Sequence, residues 1–420
     1  MLRINKNIEA LKPSATLAIN QSVQQLRADK KEIVHFGFGQ SPFPIHESIV
    51  KELCKHANNN HYLPTTGLRE LKEEISKFLK NNQGITAKSE YIYIGPGSKE
   101  LLYQTIVILD SIFLIPKGSW VSYSPQIASR GGEFSILETE FENNFKLSSD
   151  VLEAYCKKSP KQQKALILNS PNNPTGAVYT GEELESLANV CREYDIIVLS
   201  DEIYSQVNFS ATSSPSISQY YPEKTIVFGG LSKVFSAGGY RLGFMSLPTG
   251  LESLHNTYRS FFSETFSAVS SPIQYAAIEA FRMNNGIRTQ ISDCSVLLKG
   301  ISQYIFSKLS DVGIQCTQPQ GAFYMMIGFT AFKSKFNTLG VFTSEQLSNY
   351  ILEYSKVALL PASDFYFKEE DLFFRLAFVD FDGEEVLKAS KESGVINECF
   401  IKEYCPNIYK GVKSIIELVS

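Results

Sequence analysis

Histidine and cysteine are too few and too scattered in this chain to build a metal centre. The five histidines (35, 46, 56, 61, 255) include no H-x-x-x-H pair, and the seven cysteines (54, 156, 191, 294, 316, 399, 405) include no C-x-x-C pair. Zinc binding and dithiol redox chemistry therefore find no ligand spacing. An odd number of dispersed thiols fits free cysteines in a reducing cytoplasm. Basic clusters are missing as well. The net charge is −4 with 20% charged residues, which leaves no electrostatic footprint for nucleic acid or an anionic membrane. Long apolar runs are also lacking. The longest candidate, 105–115, is interrupted by Asp110 and falls short of the ~18–20 apolar residues of a membrane span. The opening, Met1–Ala10, is polar and has no apolar run before a cleavage site, which argues against a secretory signal. Tryptophan occurs once, as Trp120.

What is present is an ordinary globular composition, 43% apolar over 420 residues, long enough for two or three domain-sized units. From about 90 to 250, short apolar runs alternate with amphipathic stretches. The runs are Tyr91–Ile94, Ile112–Ile115, Ala165–Leu168, Ile196–Leu199, Thr225–Phe228 and Leu242–Leu247. They are apolar throughout, as strands buried on both faces are. Thr180 with Glu183 makes a capping box ahead of Leu184, Leu187, Ala188 and Cys191 on one helical face. Strand–helix alternation predicts an α/β fold with a mostly parallel central sheet and helices on both faces. A helix is expected over 66–80. Another capping box, Thr343 with Gln346, opens a further helix, and Ile408, Val412, Ile415 and Ile416 mark one near the end. The expected division is a large domain over 48–285 and a smaller α+β domain built from 1–47 and 286–420.

In such sheets ligands sit beyond the carboxyl ends of the strands, and five segments there carry chemistry. Gly95-Pro96-Gly97-Ser98-Lys99 precedes a helix expected to begin near Glu100. That junction is either an anion site or only a turn. Asn169-Ser170-Pro171-Asn172-Asn173-Pro174-Thr175-Gly176 is rigidified by two X-Pro steps, enough to aim an asparagine amide. Ser200-Asp201-Glu202-Ile203-Tyr204 puts a carboxylate at a buried strand end, where it caps a helix or faces a cation. Lys233, in Gly229-Gly230-Leu231-Ser232-Lys233, is placed to be a shielded amine nucleophile, with Arg241 eight residues on. Arg375 sits inside the apolar run 372–378. It needs either a ligand carboxylate or a distant acidic residue.

Taken together, Asp201-Glu202-Ile203-Tyr204, Asn172-Asn173-Pro174-Thr175-Gly176 and Ser232-Lys233 with Gly239-Tyr240-Arg241-Leu242-Gly243 resemble the fold-type-I pyridoxal-phosphate aminotransferases of class I and II. The opening Ala10-Leu11-Lys12-Pro13-Ser14-Ala15-Thr16-Leu17 is similar to the thermophile-like bacterial and archaeal aspartate aminotransferases. The likeness runs from about 9 to 392. It implies an internal aldimine on Lys233, which also moves protons, and Asp201 paired with the pyridine nitrogen. It implies Tyr204 and Asn173 on the ring oxygen, and Gly97, Ser98, Lys99 and Arg241 on the phosphate. Trp120 falls where the family stacks an aromatic on the ring. Tyr62 matches a tyrosine that reaches the phosphate of a neighbouring subunit, which implies a homodimer with composite sites. Arg375 and the Gly39 backbone match the binding site of the substrate carboxylate, beside Trp120 and Asn173.

The implied reaction moves an amino group from an L-amino acid to a 2-oxo acid, with 2-oxoglutarate the expected acceptor. Such chemistry needs an electron-withdrawing ring and a base of tuned pKa. Gly230 stands where many members have a phosphate-binding serine, and Gln40 where an acidic residue is common. The stretch 116–119 is one or two residues longer than usual, and the tail beyond about 395 exceeds the family's usual end. A basic residue for a distal substrate carboxylate is not placed. Two rival readings remain: a pyridoxal-phosphate lyase of the cysteine-S-conjugate β-lyase type on the same fold, and the ligand-sensing domain of a transcription regulator. The second expects a preceding DNA-binding module, for which a motif region starting near residue 9 leaves no room.

Overall fold

The computed structural model describes residues 2–159, 162–210 and 213–420. Its centre is a seven-stranded sheet of β1 (Ile92–Gly95), β2 (Ile112–Pro116), β3 (Phe134–Leu137), β4 (Lys164–Asn169), β5 (Ile197–Asp201), β6 (Thr225–Gly230) and β7 (Gly243–Ser246). The spatial order is β1-β7-β6-β5-β4-β2-β3. All pairs are parallel except the two made by β7, which runs against β1 and β6.

Every residue of β1, β4, β5, β6 and β7 is buried. Alternate side chains feed different cores, as the two-residue strand repeat requires. Ala165, Ile167, Ile197 and Leu199 pack with helices Ser98–Ile108 and His255–Ser263, while Leu166, Leu168 and Val198 pack with Ser149–Lys158 and Gly181–Glu193. Beyond β5, Ile94, Val227 and Phe244 pack with Arg69–Gln83 and Ser271–Arg282. The fold is thus the expected α/β arrangement. Within this sheet, strand β3 is the one the sequence reading missed. It is an edge strand with an exposed start at Phe134, so it shows no continuous apolar run. The helix expected over 66–80 spans Arg69–Gln83, because Gly67 turns the chain at φ +100° and left-handed Gly84 ends the helix. Both capping boxes form.

The flanking parts carry a second, antiparallel sheet: β8 (Gln315–Cys316), β9 (Tyr324–Gly328), β10 (Leu360–Pro361) and β11 (Phe373–Ala377), in the order β10-β11-β9-β8. Its core joins Ile327, Phe374 and Leu376 to Leu297, Ile301 and Ile305 of the 26-residue helix Asn285–Ser310. The final helix, Pro406–Val419, adds Ile408, Val412 and Ile415. A Cβ at Gly411 would lie 2.6 Å from the Phe36 ring, so glycine is required for this close crossing. Among the described residues no helix is long and apolar enough to cross a membrane.

Ile415 is fully buried. Ile415→Ala removes that packing and is expected to cost about 2–5 kcal/mol in urea unfolding. Val395→Ala, at an exposed position, should stay within about 0.5 kcal/mol of wild type.

Candidate active site

The parallel strands deliver their carboxyl ends to one cavity of about 420 Å³. β4 ends on Asn169, β5 on Asp201, and β6 leads through Ser232 to Lys233. Ser98 and Lys99 open the helix after β1, and Trp120 follows β2. The helix begins at Ser98 rather than Glu100, with Gly97 at φ +97° as its cap. Any Cβ at Gly97 would meet the Arg241 guanidinium at 2.5 Å, so this glycine lets the arginine lie across the turn. Of the residues anticipated from sequence, Gly39, Ser98, Lys99, Trp120, Asn173, Asp201, Tyr204, Lys233, Arg241 and Arg375 all line the cavity. Gly97 stands just behind that lining, against Arg241. Tyr62 does not reach it and is 94% exposed.

Asp201 occupies the buried end. Its carboxylate accepts from Tyr123 Oη at 2.8 Å and from the Ile203 amide at 3.4 Å. Burial pushes its pKa from 3.8 up to about 6, against the pull of those two donors and of the Lys233 charge. Asn169 ties the floor together. Its amide donates to the Asp201 carbonyl at 2.7 Å and accepts from the Asn173 N–H at 2.8 Å.

Lys233 Nζ donates to the Gly39 carbonyl at 2.7 Å and sits over the rings of Tyr204 and Phe323. The Tyr204 hydroxyl lies 2.9 Å from that of Tyr324, which donates to the same Gly39 carbonyl at 3.2 Å. Two donors therefore already converge on the Gly39 oxygen.

Arg375 is 1% exposed. Its Nη1 donates to Asn173 Oδ1 at 3.1 Å and its Nη2 to the Gly37 carbonyl at 2.6 Å, while Nε has no partner among the described residues. The alternative of a structural acid is not realised: both partners are neutral, and Asp364 acts on Arg375 only through its field. Burial lowers the guanidinium's pKa, which marks the cost of a cation held without an anion. Because Asn173 Oδ1 is taken by the arginine, Nδ2 is the atom that amide has left to offer.

Lys99 lies 5.2 Å over the Trp120 ring, and its pKa is lowered by burial and then by the Arg241 charge. Four cations (Lys99, Lys233, Arg241, Arg375) and one acid (Asp201) line the cavity. That excess of three positive charges stands out in a chain of net charge −4.

A family model described as aminotransferase class I and II matches residues 31–390. The chain belongs to this family. It is 33% identical to the aspartate aminotransferase of Bacillus subtilis over 373 residues, 87% of this chain and 92% of that one. It is 32% identical to the Geobacillus stearothermophilus aspartate aminotransferase over 374 residues, with the same two coverages. Among solved structures, the Thermus thermophilus aspartate aminotransferase with maleate superposes with a TM-score of 0.85 over 100% of both chains at 24% identity, a likeness of fold. This aminotransferase is therefore a transaminase of the pyridoxal-phosphate type, with the fold of type I. The lyase alternative finds no support among these relatives.

The cavity fits that cofactor on chemical grounds. A phosphate dianion and a substrate carboxylate would offset the three excess charges. Lys99 and Arg241 beside the start of an 11-residue helix suit an anion, and buried Asp201 suits a cationic nitrogen. The residues whose roles the sequence reading missed are those that hold the others: Tyr123, Asn169 and Tyr324. Asn169 opened a quoted motif and so left a trace. Tyr324 left none, because its neighbours along β9 read as core.

Folded Asp201 binds its proton more tightly than the unfolded chain does. The stability this contributes to cofactor-free protein is present below about pH 4 and lost as pH rises through about 6. Asp201→Asn should therefore flatten the fall in urea-melt stability across that window by roughly 2 kcal/mol.

Proposed function

We propose that Lys233 is the residue that binds the cofactor covalently and moves the proton at the substrate's α-carbon. The observation that carries this is the placement of Asp201 and Lys233 in one cavity, at the ends of paired strands β5 and β6. The cofactor, when bound, supplies an electron sink conjugated with the substrate's amine. The protein's part is to orient, neutralise and move protons.

Asp201 holds a proton on the pyridine nitrogen, with Tyr123 and Ile203 fixing its two oxygens. Ser98, Lys99 and Arg241 take the phosphate. Trp120 walls the ring, and Asn173 Nδ2 and the Tyr204 hydroxyl face its oxygen substituent. Arg375, already aimed by Asn173 and Gly37, takes the α-carboxylate and gains the anion its burial lacks. The Gly39 carbonyl is a hydrogen-bond acceptor for the Lys233 amine, so it orients that amine, whereas substrate carboxylate binding at this position falls to the backbone N–H.

We extend the reading in four directions. The acceptor is 2-oxoglutarate, and aspartate is the first donor to test because relatives carry that name. The active unit is a homodimer in which exposed Tyr62 serves the neighbouring site. The chain divides into a 48–285 unit and a unit of 1–47 with 286–420, in keeping with the separate seven-stranded and antiparallel sheets. The compartment is a reducing cytoplasm, in keeping with seven free cysteines.

Borohydride reduction of holoenzyme should leave cofactor attached to Lys233 in the peptide map, and Lys233→Ala should lose it; label retained elsewhere sinks the assignment. One equivalent of a good amino donor should convert the bound cofactor to its amine form, without release of pyruvate and ammonia. Arg375→Leu should lower kcat/KM for the amino acid on the order of a hundredfold or more, mostly through KM.

A further inference from the structure

Next to Asp201 lies a second buried acid that the mechanism above does not use. Glu202 directly follows β5, and its carboxyl meets Ser200, Ser216 and Gln83, none of which lines the cavity. Glu202 is 5% exposed and has no ion pair among the described residues. Its Oε1 accepts from Ser200 Oγ at 2.8 Å and Ser216 Oγ at 2.5 Å, and its Oε2 accepts from the Gln83 amide. Gln83 closes helix Arg69–Gln83, and Ser216 caps the short turn Ile217–Gln219.

All three contacts can be donors at once, and Ser216 Oγ is itself held by the Ser218 N–H at 3.1 Å. Three donors around two oxygens is a shell built for an anion. The elements packed on this carboxyl present Gln83, Ser216 and the Phe228 carbonyl, which accepts the Glu202 N–H at 2.9 Å. Among the described residues, Asp201 is the charged group that bears on it.

We infer that Glu202 is a positioning residue that acts on the reaction through Asp201. It places a second negative charge behind the first and thereby tightens the hold of Asp201 on the pyridine-nitrogen proton. The adjacent backbone supports the coupling, since both residues are pinned through the end of β5: Asp201 by Asn169 and Glu202 by Phe228. Burial raises the Glu202 pKa to about 7, with the Asp201 charge adding to the rise and the three donors opposing it. The second charge therefore strengthens as pH climbs through neutrality, when the ring nitrogen most needs help to keep its proton. At an effective dielectric of about 20, a unit charge anywhere within about 10 Å changes a neighbour's proton affinity on the order of tenfold, or one pH unit.

The inference rests on the proposed seating of the pyridine nitrogen at Asp201. The test is nitrogen NMR of holoenzyme loaded with isotopically labelled pyridoxal phosphate, followed as a function of pH. Glu202→Gln keeps the shape and removes the charge. The ring-nitrogen deprotonation midpoint should fall by about one unit, with kcat narrowing on its alkaline side and KM unchanged. Glu202→Asp should restore part of the shift, which a purely structural role would not predict.

Should Glu202→Gln not fold, Ser216→Ala removes one donor and leaves the acid in place. Glu202 then stays neutral to higher pH, and the ring midpoint should fall by a smaller amount. A folded variant with an unmoved midpoint and normal Lys233 labelling overturns the role of Glu202 alone. Failure of labelling at Lys233 overturns the reading on which it stands.

Discussion

A guanidinium buried without an anion is the constraint around which this molecule is arranged. Arg375 sits in the middle of β11, opposite Met326 and Leu360, and is buried. Its two neutral acceptors satisfy geometry and leave charge uncompensated. A buried cation of this kind is costly until a carboxylate arrives. The small sheet therefore presents a binding site that is aimed in advance, and Asn173 and Gly37 do the aiming from opposite directions.

The same logic with opposite sign governs the floor of the cavity and the core behind it. Asp201 and Glu202 bring carboxyl groups into a region where burial favours the neutral acid. Among the described residues neither has a resident cation in contact with it. The protein answers with hydrogen-bond donors from Tyr123, Ser200, Ser216 and Gln83. These reduce the penalty without cancelling the charge, so the site keeps an attraction for a protonated heterocycle. The cavity thus sets one buried acid, Asp201, against the cations Lys99 and Arg241, and this charge pattern favours one orientation of a ligand with one anionic end.

Much of this was legible in the chain itself. Uninterrupted runs such as Ala165–Leu168 can only be strands covered on both faces, and the polar residue after each run then falls at the rim. That single inference located Asn169, Asp201, Lys233 and the Gly97 turn. Roles, as distinct from positions, came only through the resemblance. The edge strand β3 escaped notice because half-exposed residues carry no continuous pattern, and β7 gave no hint of its reversed direction, since buried strands read alike either way. Tyr123 and Tyr324 look in sequence like two more aromatics among 21 tyrosines. Their hydroxyl partners lie 78 and 120 residues away, and no local rule reaches that far.

The last helix carries one further implication. It lies wholly past residue 390, where the family match stops, yet Gly411 is pressed on Phe36. Phe36 immediately precedes the Gly37–Gly39 turn, whose carbonyls steer Arg375 and Lys233. The tail is thus a brace for two carbonyl oxygens some 370 residues upstream of it. Drift of sequence in that helix is a means of retuning the cavity without touching any residue that lines it.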